Sequence, residues 1–271
     1  MSTVNRGVAL VTGASTGIGR ATATALARAG LRVFGTSRKL TSGGPAGVTM
    51  MVCDVSDDAS VSKLVADIVA EAGRVDLLVN NAGIGLLGGA EESSIAQAQR
   101  LFDINVFGTM RVTNAVLPIM RRQKSGRIVN MSSVLGLIPA PFNALYAATK
   151  HAIEGYSESL DHELRTQGIR VVLVEPAFTR TSFEDNLVKP DQVLDVYNSG
   201  RASLSVAMRK AMETGDIPEV VAGTVLKAAT DVRPRRRYPA GKTARQVSFL
   251  RRFVPESAFD KSLRKQNGLP A

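Results

Sequence analysis

Tyr146 and Lys150, in the stretch Tyr146-Ala147-Ala148-Thr149-Lys150, are residues of the right types and spacing for proton transfer. Residues four positions apart lie on one face of an α-helix, so the phenol and the ammonium can point into one cleft. A free tyrosine has a pKa near ~10, and a fixed cation beside it favours the phenolate. The pair therefore predicts a poised proton donor and acceptor, although a surface pair on an amphipathic helix has the same spacing.

A glycine-rich turn near the start of the chain has the composition of a phosphate site. Three glycines occur in Thr12-Gly13-Ala14-Ser15-Thr16-Gly17-Ile18-Gly19, between an apolar run and a helical stretch. Glycines allow a tight turn and a close backbone approach to a phosphate, and free N–H groups at the helix N-terminus attract a pyrophosphate. The spacing is not Gly-x-Gly-x-x-Gly, and a purely structural turn is the alternative interpretation.

The residues about 20 positions beyond the glycines indicate which nucleotide binds. A carboxylate is usual there when the cofactor lacks a 2′-phosphate, because it accepts hydrogen bonds from the ribose hydroxyls. This chain has Thr36-Ser37-Arg38-Lys39 instead. A hydrogen bond from Arg38 to a phosphate contributes roughly 1.5 to 3 kcal/mol. We therefore predict NADP(H) as the cofactor, with a solvated basic pair on a loop as the weaker alternative.

Short apolar, β-branched runs alternate with helical stretches, and this alternation positions the motifs. Continuous apolar runs are typical of parallel strands that are covered on both faces. The pattern predicts an α/β fold, a single Rossmann-like doubly wound parallel sheet with helices on both faces, in one domain that spans residues 1–271. The predicted strands are 8–12, 32–36, 48–52, 75–79, 127–131 and 170–175, and the predicted helices are 18–29, 60–72, 95–122, 144–167 and 218–231.

Three further polar motifs lie between the glycine turn and Lys150. Asn80-Asn81-Ala82-Gly83 closes the fourth predicted strand, Asn105 lies in the long helix, and Ser132-Ser133 ends the fifth strand. With the glycine turn and the Tyr–Lys pair, these motifs resemble the short-chain dehydrogenase/reductase family in order and distance. The resemblance runs from about residue 8 to residue 181, and within the family it points to the 17-beta-hydroxysteroid and retinol dehydrogenase-like subgroup.

The resemblance implies a role for each matching position. Tyr146 would be the general acid and base, Lys150 would hold the nicotinamide ribose and lower the pKa of Tyr146, and Asn105 would anchor a proton-relay water. Ser133 would hold the substrate oxygen, and it is preferred to Ser132 because it lies 13 residues before the tyrosine. Asp54 matches the adenine-binding residue. The residues implied to bind the cofactor are Gly13, Ser15, Gly17, Ile18, Gly19, Arg38, Asp54, Val55, Asn81, Ala82, Gly83, Tyr146, Lys150, Thr179 and Thr181.

The segment 178–215 follows the sixth strand, at the edge where open α/β sheets bind ligands. Because its periodicity is weak, we predict a mobile substrate-binding lid over an apolar cleft opposite Tyr146. Where the family usually has Pro-Gly, this chain has Pro176-Ala177, and an alanine does not adopt a glycine-only conformation cheaply, which leaves the path of this loop open. The candidate lining residues of the cleft are Leu187, Val188, Val193, Leu194 and Val196.

The net charge of +10 is concentrated at the C-terminus, since residues 1–200 hold 19 basic and 18 acidic side chains and residues 201–271 hold 15 and 6. In the basic segment 232–271, the arginine cluster at 233–237 lacks interleaved aromatic residues. We therefore predict a solvated or subunit-contacting edge beside a short strand at 238–240, and neither a nucleic-acid site nor a membrane site. Phe249, Leu250, Phe253 and Phe259 are predicted to cover a core or a subunit interface.

Composition narrows the class of protein further. With 44% apolar and 21% charged residues the chain is typical of folded proteins, and the lone Cys53 forms no internal bridge. The first apolar run leads straight into the glycine turn, so we expect no signal peptide and a cytoplasmic location. No window approaches the roughly 20 apolar residues of a transmembrane segment. His151 and His162 lie roughly 16 Å apart on one predicted helix, which predicts no metal site.

Taken together, these motifs predict an NADP(H)-dependent oxidoreductase that interconverts a carbonyl and a secondary alcohol on an apolar, steroid-, retinoid- or other ketone- or aldehyde-like molecule. We expect a homo-dimer or homo-tetramer. Two alternatives are a reductase of 3-oxoacyl thioesters and a non-catalytic NADP(H)-binding sensor. The intact Ser133, Tyr146 and Lys150 argue against the sensor, which needs no proton donor.

Overall fold

Seven parallel strands form the sheet of this computed structural model, which describes residues 7–39, 43–183 and 186–267. The strands lie in the order β3-β2-β1-β4-β5-β6-β7, as the predicted doubly wound fold requires. The fold class is therefore confirmed. The strands are β1 (Val8–Val11), β2 (Arg32–Ser37), β3 (Val48–Val52), β4 (Leu77–Asn80), β5 (Gly126–Met131), β6 (Ile169–Pro176) and β7 (Arg237–Ala240).

Helices cover both faces of the sheet. In chain order they are α1 (Gly17–Arg28), α2 (Asp58–Ala72), α3 (Ile95–Phe102), α4 (Gly108–Gln123), α5 (Ala144–Leu164), α6 (Asn198–Glu213), α7 (Pro218–Thr230), α8 (Gly241–Phe253) and α9 (Glu256–Gln266). Apolar side chains of α1 and α7 pack in one core, and those of α2, α4 and α5 pack in the core on the opposite face. Both faces of the apolar strands are thereby removed from water.

The order of the strands reverses between β1 and β4, since β2 lies on one side of β1 and β4 on the other. The loops that leave β1 and β4 therefore diverge and open a crevice at the carboxyl edge of the sheet, where such folds bind ligands. The glycine turn follows β1, Asn81 follows β4 and Ser133 follows β5. Parallel pairing thus brings motifs that are distant in sequence to one edge.

Two predicted elements differ from the structure. The helix predicted at 95–122 is interrupted by a π-helical turn, Asp103–Phe107, in which the N–H of Gly108 donates to the carbonyl of Asp103. The segment 178–215 contains the helix α6, which its weak periodicity did not predict, and its residues 184 and 185 lie outside the described part of the chain. Within residues 7–39, 43–183 and 186–267, the helices are too short or too polar to cross a bilayer.

Candidate active site

The glycine turn after β1 has a backbone that other residues do not fit. Gly13 and Gly17 have positive φ values of 66° and 53°, a region that favours glycine. A Cβ at Gly19 would lie 2.1 Å from the carbonyl oxygen of Gly13. Helix α1 begins at Gly17, and the side chain of its N-cap, Thr16, makes no capping hydrogen bond. The first N–H groups of α1 are therefore free to bind a phosphate, and this cradle fits a dinucleotide.

The loop after β4 holds this turn in place. Asn81 Nδ2 donates to the carbonyl oxygens of Thr12 at 2.9 Å and Gly13 at 3.1 Å. Thr12 Oγ1 accepts from the backbone N–H groups of Asn81 and Ala82, each at 3.0 Å. The predicted cofactor residues Asn81, Ala82 and Gly83 thus line the crevice, but the amide of Asn81 is used to fix the backbone around the phosphate cradle.

Arg38 and Asp54 follow the neighbouring strands β2 and β3 and lie near each other at the same edge. Arg38 is exposed, and the Asp54 carboxylate accepts from Ser56 Oγ at 2.6 Å and from the Ser56 N–H at 2.9 Å. These hydrogen bonds lower the pKa of Asp54, and the charges of Arg38 and Arg100 lower it further. Asp54 is therefore ionised at neutral pH, while the exposed guanidinium of Arg38 is open to a phosphate.

Tyr146 meets Ser133 where helix α5 begins. Tyr146 lies in the first turn of α5, and Ser133 has extended backbone just beyond β5. Ser133 lies close enough to the phenol to lower the pKa of Tyr146. Ser132 instead lies on the other side, where both its Oγ and Glu154 Oε1 approach Gly136. The structure therefore places Ser133, and not Ser132, next to the tyrosine, as the sequence predicts.

Lys150 is buried one helical turn beyond Tyr146. Its Nζ donates to the carbonyl oxygen of Met131 at 2.9 Å and lies 5.6 Å from the centre of the Tyr146 ring. Burial lowers the pKa of Lys150 to about 8, although the charge of Glu154 opposes this shift. Burial also raises the pKa of Tyr146, while the nearby Ser133 hydroxyl lowers it. Desolvation of the phenol dominates its pKa in this structure, and the lowering of that pKa by Lys150 stays a prediction.

Asn105 lies in the π-helical turn and connects two elements of the site. Its Nδ2 donates to the carbonyl of Ile84 at 2.9 Å and to Thr149 Oγ1 at 3.3 Å, and its Oδ1 accepts from the N–H of Ile84 at 2.9 Å. Thr149 Oγ1 in turn donates to the carbonyl of Tyr146 at 2.7 Å. The irregular turn, of a kind frequent at functional sites, directs Asn105 toward the tyrosine helix.

The loop after β6 runs beside the glycine turn. Thr181 lies 3.3 Å from the position that a Cβ of Gly17 would take, and Thr179 Oγ1 donates to the carbonyl of Ala177 at 3.1 Å. Among the described residues, the positive φ values outside glycine belong to Lys124 and Phe142. Ala177 therefore needs no glycine-only backbone, and its departure from the family pattern leaves Thr181 beside the glycine turn.

An apolar groove of about 560 Å³ lies under helix α6. The ring centres of Phe183, in the segment after β6, and Tyr146 lie 6.0 Å apart. Of the predicted lining residues, Leu187 lines this groove, whereas Val188, Val193, Leu194 and Val196 are not among the residues that line it. The residues that line the groove are Leu87, Thr181, Leu187, Arg201, Leu204, Ser205, Met208, Arg209 and Met212.

Glu92, a residue that sequence analysis missed, holds the predicted lid. Its buried carboxylate accepts from the N–H groups of Gly89 at 2.6 Å and Leu194 at 2.7 Å and pairs with Arg201 of α6. Burial would raise the pKa of Glu92, but these partners hold it below its ordinary value. The expectation that segment 178–215 has little packing of its own is therefore wrong, whereas its mobility stays a prediction. A pair of glutamates in a short 3-10 turn gives no signal of this role.

Arg237 also differs from expectation, since it belongs to a buried ion cluster rather than a solvated edge. Its Nε donates to Glu154 Oε2 at 2.8 Å and lies 3.1 Å from Glu175 Oε1, and its Nη1 lies 3.0 Å from Glu158 Oε1. Glu154 and Glu175 are both buried. Burial and the neighbouring charge of Glu154 raise the pKa of Glu175 to about 8. A glutamate inside the apolar run of β6 was the signal in the sequence that could have indicated such a cluster.

Comparisons with known proteins agree with this geometry. A family model described as short chain dehydrogenase matches residues 7–192. A 3-ketodihydrosphingosine reductase of Bacteroides thetaiotaomicron is 36% identical over 262 residues, which cover 95% of this chain and 96% of that protein. Retinol dehydrogenase 8 of Bos taurus is 39% identical over 251 residues, which cover 84% of this chain and 80% of that protein.

Solved structures give the same result. A short-chain dehydrogenase of Streptomyces avermitilis superposes with a TM-score of 0.82 at 32% identity, over 98% of this chain and 99% of that one. ElxO with NADP bound gives 0.71 at 27% identity, over 84% and 92%. A 3-ketoacyl-(acyl-carrier-protein) reductase of Brucella melitensis complexed with NADH gives 0.70 at 26% identity, over 83% and 90%. From its glycine cradle, its Ser–Tyr–Lys edge and these relatives, the chain belongs to the short-chain dehydrogenase family of nicotinamide-dependent oxidoreductases, which act on CH–OH groups.

Proposed function

We propose that this chain is an NADP(H)-dependent oxidoreductase that interconverts a carbonyl and a secondary alcohol on an apolar small molecule. The observation that carries the proposal is the meeting of Tyr146 with Ser133 while Lys150 is fixed against Met131. The leucines and methionines of the nearby groove favour an apolar substrate. The names of the relatives, a 3-ketodihydrosphingosine reductase and a retinol dehydrogenase, support a lipid-like ketone, aldehyde or alcohol.

Proton transfer from Tyr146 is the chemical step that the protein supplies. In the reducing direction, the phenol donates its proton to the substrate oxygen while Ser133 Oγ donates a hydrogen bond to the same atom. Because burial raises the pKa of Tyr146, the phenol stays protonated at neutral pH and is ready to act as an acid. Lys150, with a pKa of about 8, can release and take up a proton near neutral pH. A bound nicotinamide supplies or accepts the hydride.

The preference for NADP(H) rests on the residues beyond β2. Arg38 is exposed there, and the sequence has Thr36 and Ser37 where a carboxylate would repel a 2′-phosphate. Asp54 follows the adjacent strand β3, and we infer that its carboxylate binds the adenine. These features support NADP(H) over NAD(H).

Two substitutions test the proposal. Tyr146→Phe should keep NADPH binding and lower turnover by roughly 10²- to 10⁴-fold, whereas Tyr156→Phe, on the same helix, should leave turnover unchanged. Near-normal turnover in Tyr146→Phe would place the chemistry elsewhere.

Arg38→Ala should reduce the ratio of NADPH to NADH affinity by roughly 10-fold or more, with Lys39→Ala as the matched control. An unchanged ratio in Arg38→Ala would reject the cofactor assignment.

A substrate screen separates this proposal from its alternatives. NADPH oxidation should be fastest with apolar ketones or aldehydes. Preferred turnover of acyl thioesters would select the 3-oxoacyl-thioester reductase, and NADPH binding without turnover of any carbonyl would select the sensor. Light scattering of the same samples tests the proposed homo-dimer or homo-tetramer.

A further inference from the structure

Helices α8 and α9 form the surface that follows the edge strand β7. Gly241 and Ala244, at the start of α8, are buried, whereas the side chains of its later turns are partly or fully exposed to solvent. Phe249, Leu250 and Phe253 are 61%, 43% and 63% exposed, so they cover no core within the described chain, and the predicted alternative of a subunit interface stays a prediction. Exposed aromatic residues at positions i and i+4 form one contiguous apolar patch.

The patch is surrounded by positive charge. The rings of Phe249 and Phe253 lie 4.8 Å apart, the Arg252 guanidinium lies 5.5 Å from the Phe253 ring, and Arg251 lies 5.7 Å from the ring of Phe259. Residues 241–266 contain two acidic side chains, Glu256 and Asp260. The basic side chains of the same range are Lys242, Arg245, Arg251, Arg252, Lys261, Arg264 and Lys265.

We propose that this α8–α9 surface binds the anionic face of a lipid bilayer, with Phe249 and Phe253 inserted at the level of the headgroups. Helices that lie in the membrane interface combine aromatic residues on one face with lysines and arginines that contact anionic lipid. Arginine side chains beside the rings can extend toward the headgroups while their stems remain on the apolar patch. Such binding is peripheral and requires no spanning helix.

Charge favours a membrane over a second copy of this chain. A two-fold contact through this surface would place the arginines of α8 opposite the same arginines of the second copy, and like charges repel. An anionic bilayer neutralises them and also covers both phenylalanines. The site also lies on a suitable side of the molecule, since α8 begins at the carboxyl end of β7, the edge of the sheet that carries Ser133 and Tyr146.

Vesicle sedimentation of the full chain tests the proposal. The protein should pellet with vesicles in which a third of the phosphatidylcholine is replaced by phosphatidylglycerol, and not with phosphatidylcholine alone. Binding should weaken at least about 10-fold when salt shortens the range of the attraction. Phe249→Ser/Phe253→Ser and Arg251→Gln/Arg252→Gln should each lower the partition coefficient by at least about 10-fold.

Two controls locate the effect. Val232→Ser removes an apolar side chain that is 95% exposed outside the patch, and Arg233→Gln/Arg236→Gln removes charge from the other basic cluster; both should bind vesicles as the parent chain does. NADPH binding and the melting temperature establish that each variant is folded. Equal binding to both vesicle types, or no binding to either, would overturn the proposal. A loss of oligomers in Phe249→Ser/Phe253→Ser without any vesicle binding would instead identify an interface between copies, and binding to duplex DNA without vesicle binding would identify a nucleic-acid surface.

Discussion

The cluster of Arg237, Glu154 and Glu175 predicts an unusual dependence of stability on pH. Glu175 has a folded-state pKa of about 8 against an ordinary value of 4.5, and its oxygens accept no hydrogen bond from the described residues. A carboxyl whose pKa is raised by folding binds a proton in the folded protein where the unfolded chain has released it. Stability therefore falls as pH rises from about 4.5 to about 8, by roughly 3 to 4 kcal/mol between pH 5 and pH 8.

Glu175→Gln removes this titration. The variant should be less pH-dependent than the parent chain and more stable than it at pH 8, because a neutral amide replaces a carboxylate that is desolvated without a full partner. Arg237→Met should act in the opposite direction. Breaking a buried ion pair costs about 3 to 5 kcal/mol, but Arg237 is 38% exposed and Glu175 is already largely protonated at pH 7, so we expect roughly 2 to 3 kcal/mol.

Urea unfolding at pH 6 and pH 8 measures both effects. The loss of unfolding free energy in Arg237→Met should be larger at pH 8, because Glu154 and Glu175 are more often ionised there and have lost their cation. Adding Glu175→Gln to Arg237→Met should restore part of this free energy in the double variant. Arg233→Met, an exposed arginine before the same strand, serves as the matched control. Equal destabilisation of Glu175→Gln at both pH values, or an Arg237→Met chain as stable as the parent, would refute the reasoning.

Two further predictions concern the lid and the phosphate cradle. Because hydrogen bonds hold the pKa of Glu92 below its ordinary value, its stabilising contribution should be present above that ordinary pKa and be lost as the pH falls through the lower folded value. Glu92→Gln weakens the contacts that hold segment 178–215, so it should raise KM more than it lowers kcat and should increase proteolysis of that segment. Unchanged KM and cleavage would show that other contacts hold the lid. Asn81→Ala should weaken NADPH binding, measured by nicotinamide fluorescence, since Thr12 and Gly13 lose the donor that fixes their carbonyls; unchanged binding would show that the cradle is rigid without it.

Most of the sheet could be predicted from the sequence because its strands are buried on both faces. Each predicted strand begins or ends within two residues of the observed one, from β1 (Val8–Val11) to β6 (Ile169–Pro176). A parallel strand covered by helices has to be a continuous apolar run, and such runs are visible without knowledge of the tertiary structure. The motif residues could be located for the same reason, since they follow these strands directly.

The misplaced elements depend on contacts that sequence spacing does not reveal. The π-helical turn at Asp103–Phe107 accompanies hydrogen bonds between Asn105 and Ile84, which are 21 residues apart. Helix α6 has one buried residue in the described chain, Leu204, so the apolar period that predicts helices is weak there. The roles assigned to the site residues, and the single domain, stay predictions.

Ser132 and Ser133 illustrate how one strand end serves two environments. Successive residues in extended backbone point in opposite directions, and Ser133 contacts Tyr146 whereas Ser132 lies beside Gly136, close to Glu154. Helix α5 carries both Tyr146 and Glu154, so the proposed proton donor and one member of the buried carboxyl pair are fixed to the same rigid element. A proton gained or lost by Glu154 therefore changes the charge on the helix that carries the tyrosine.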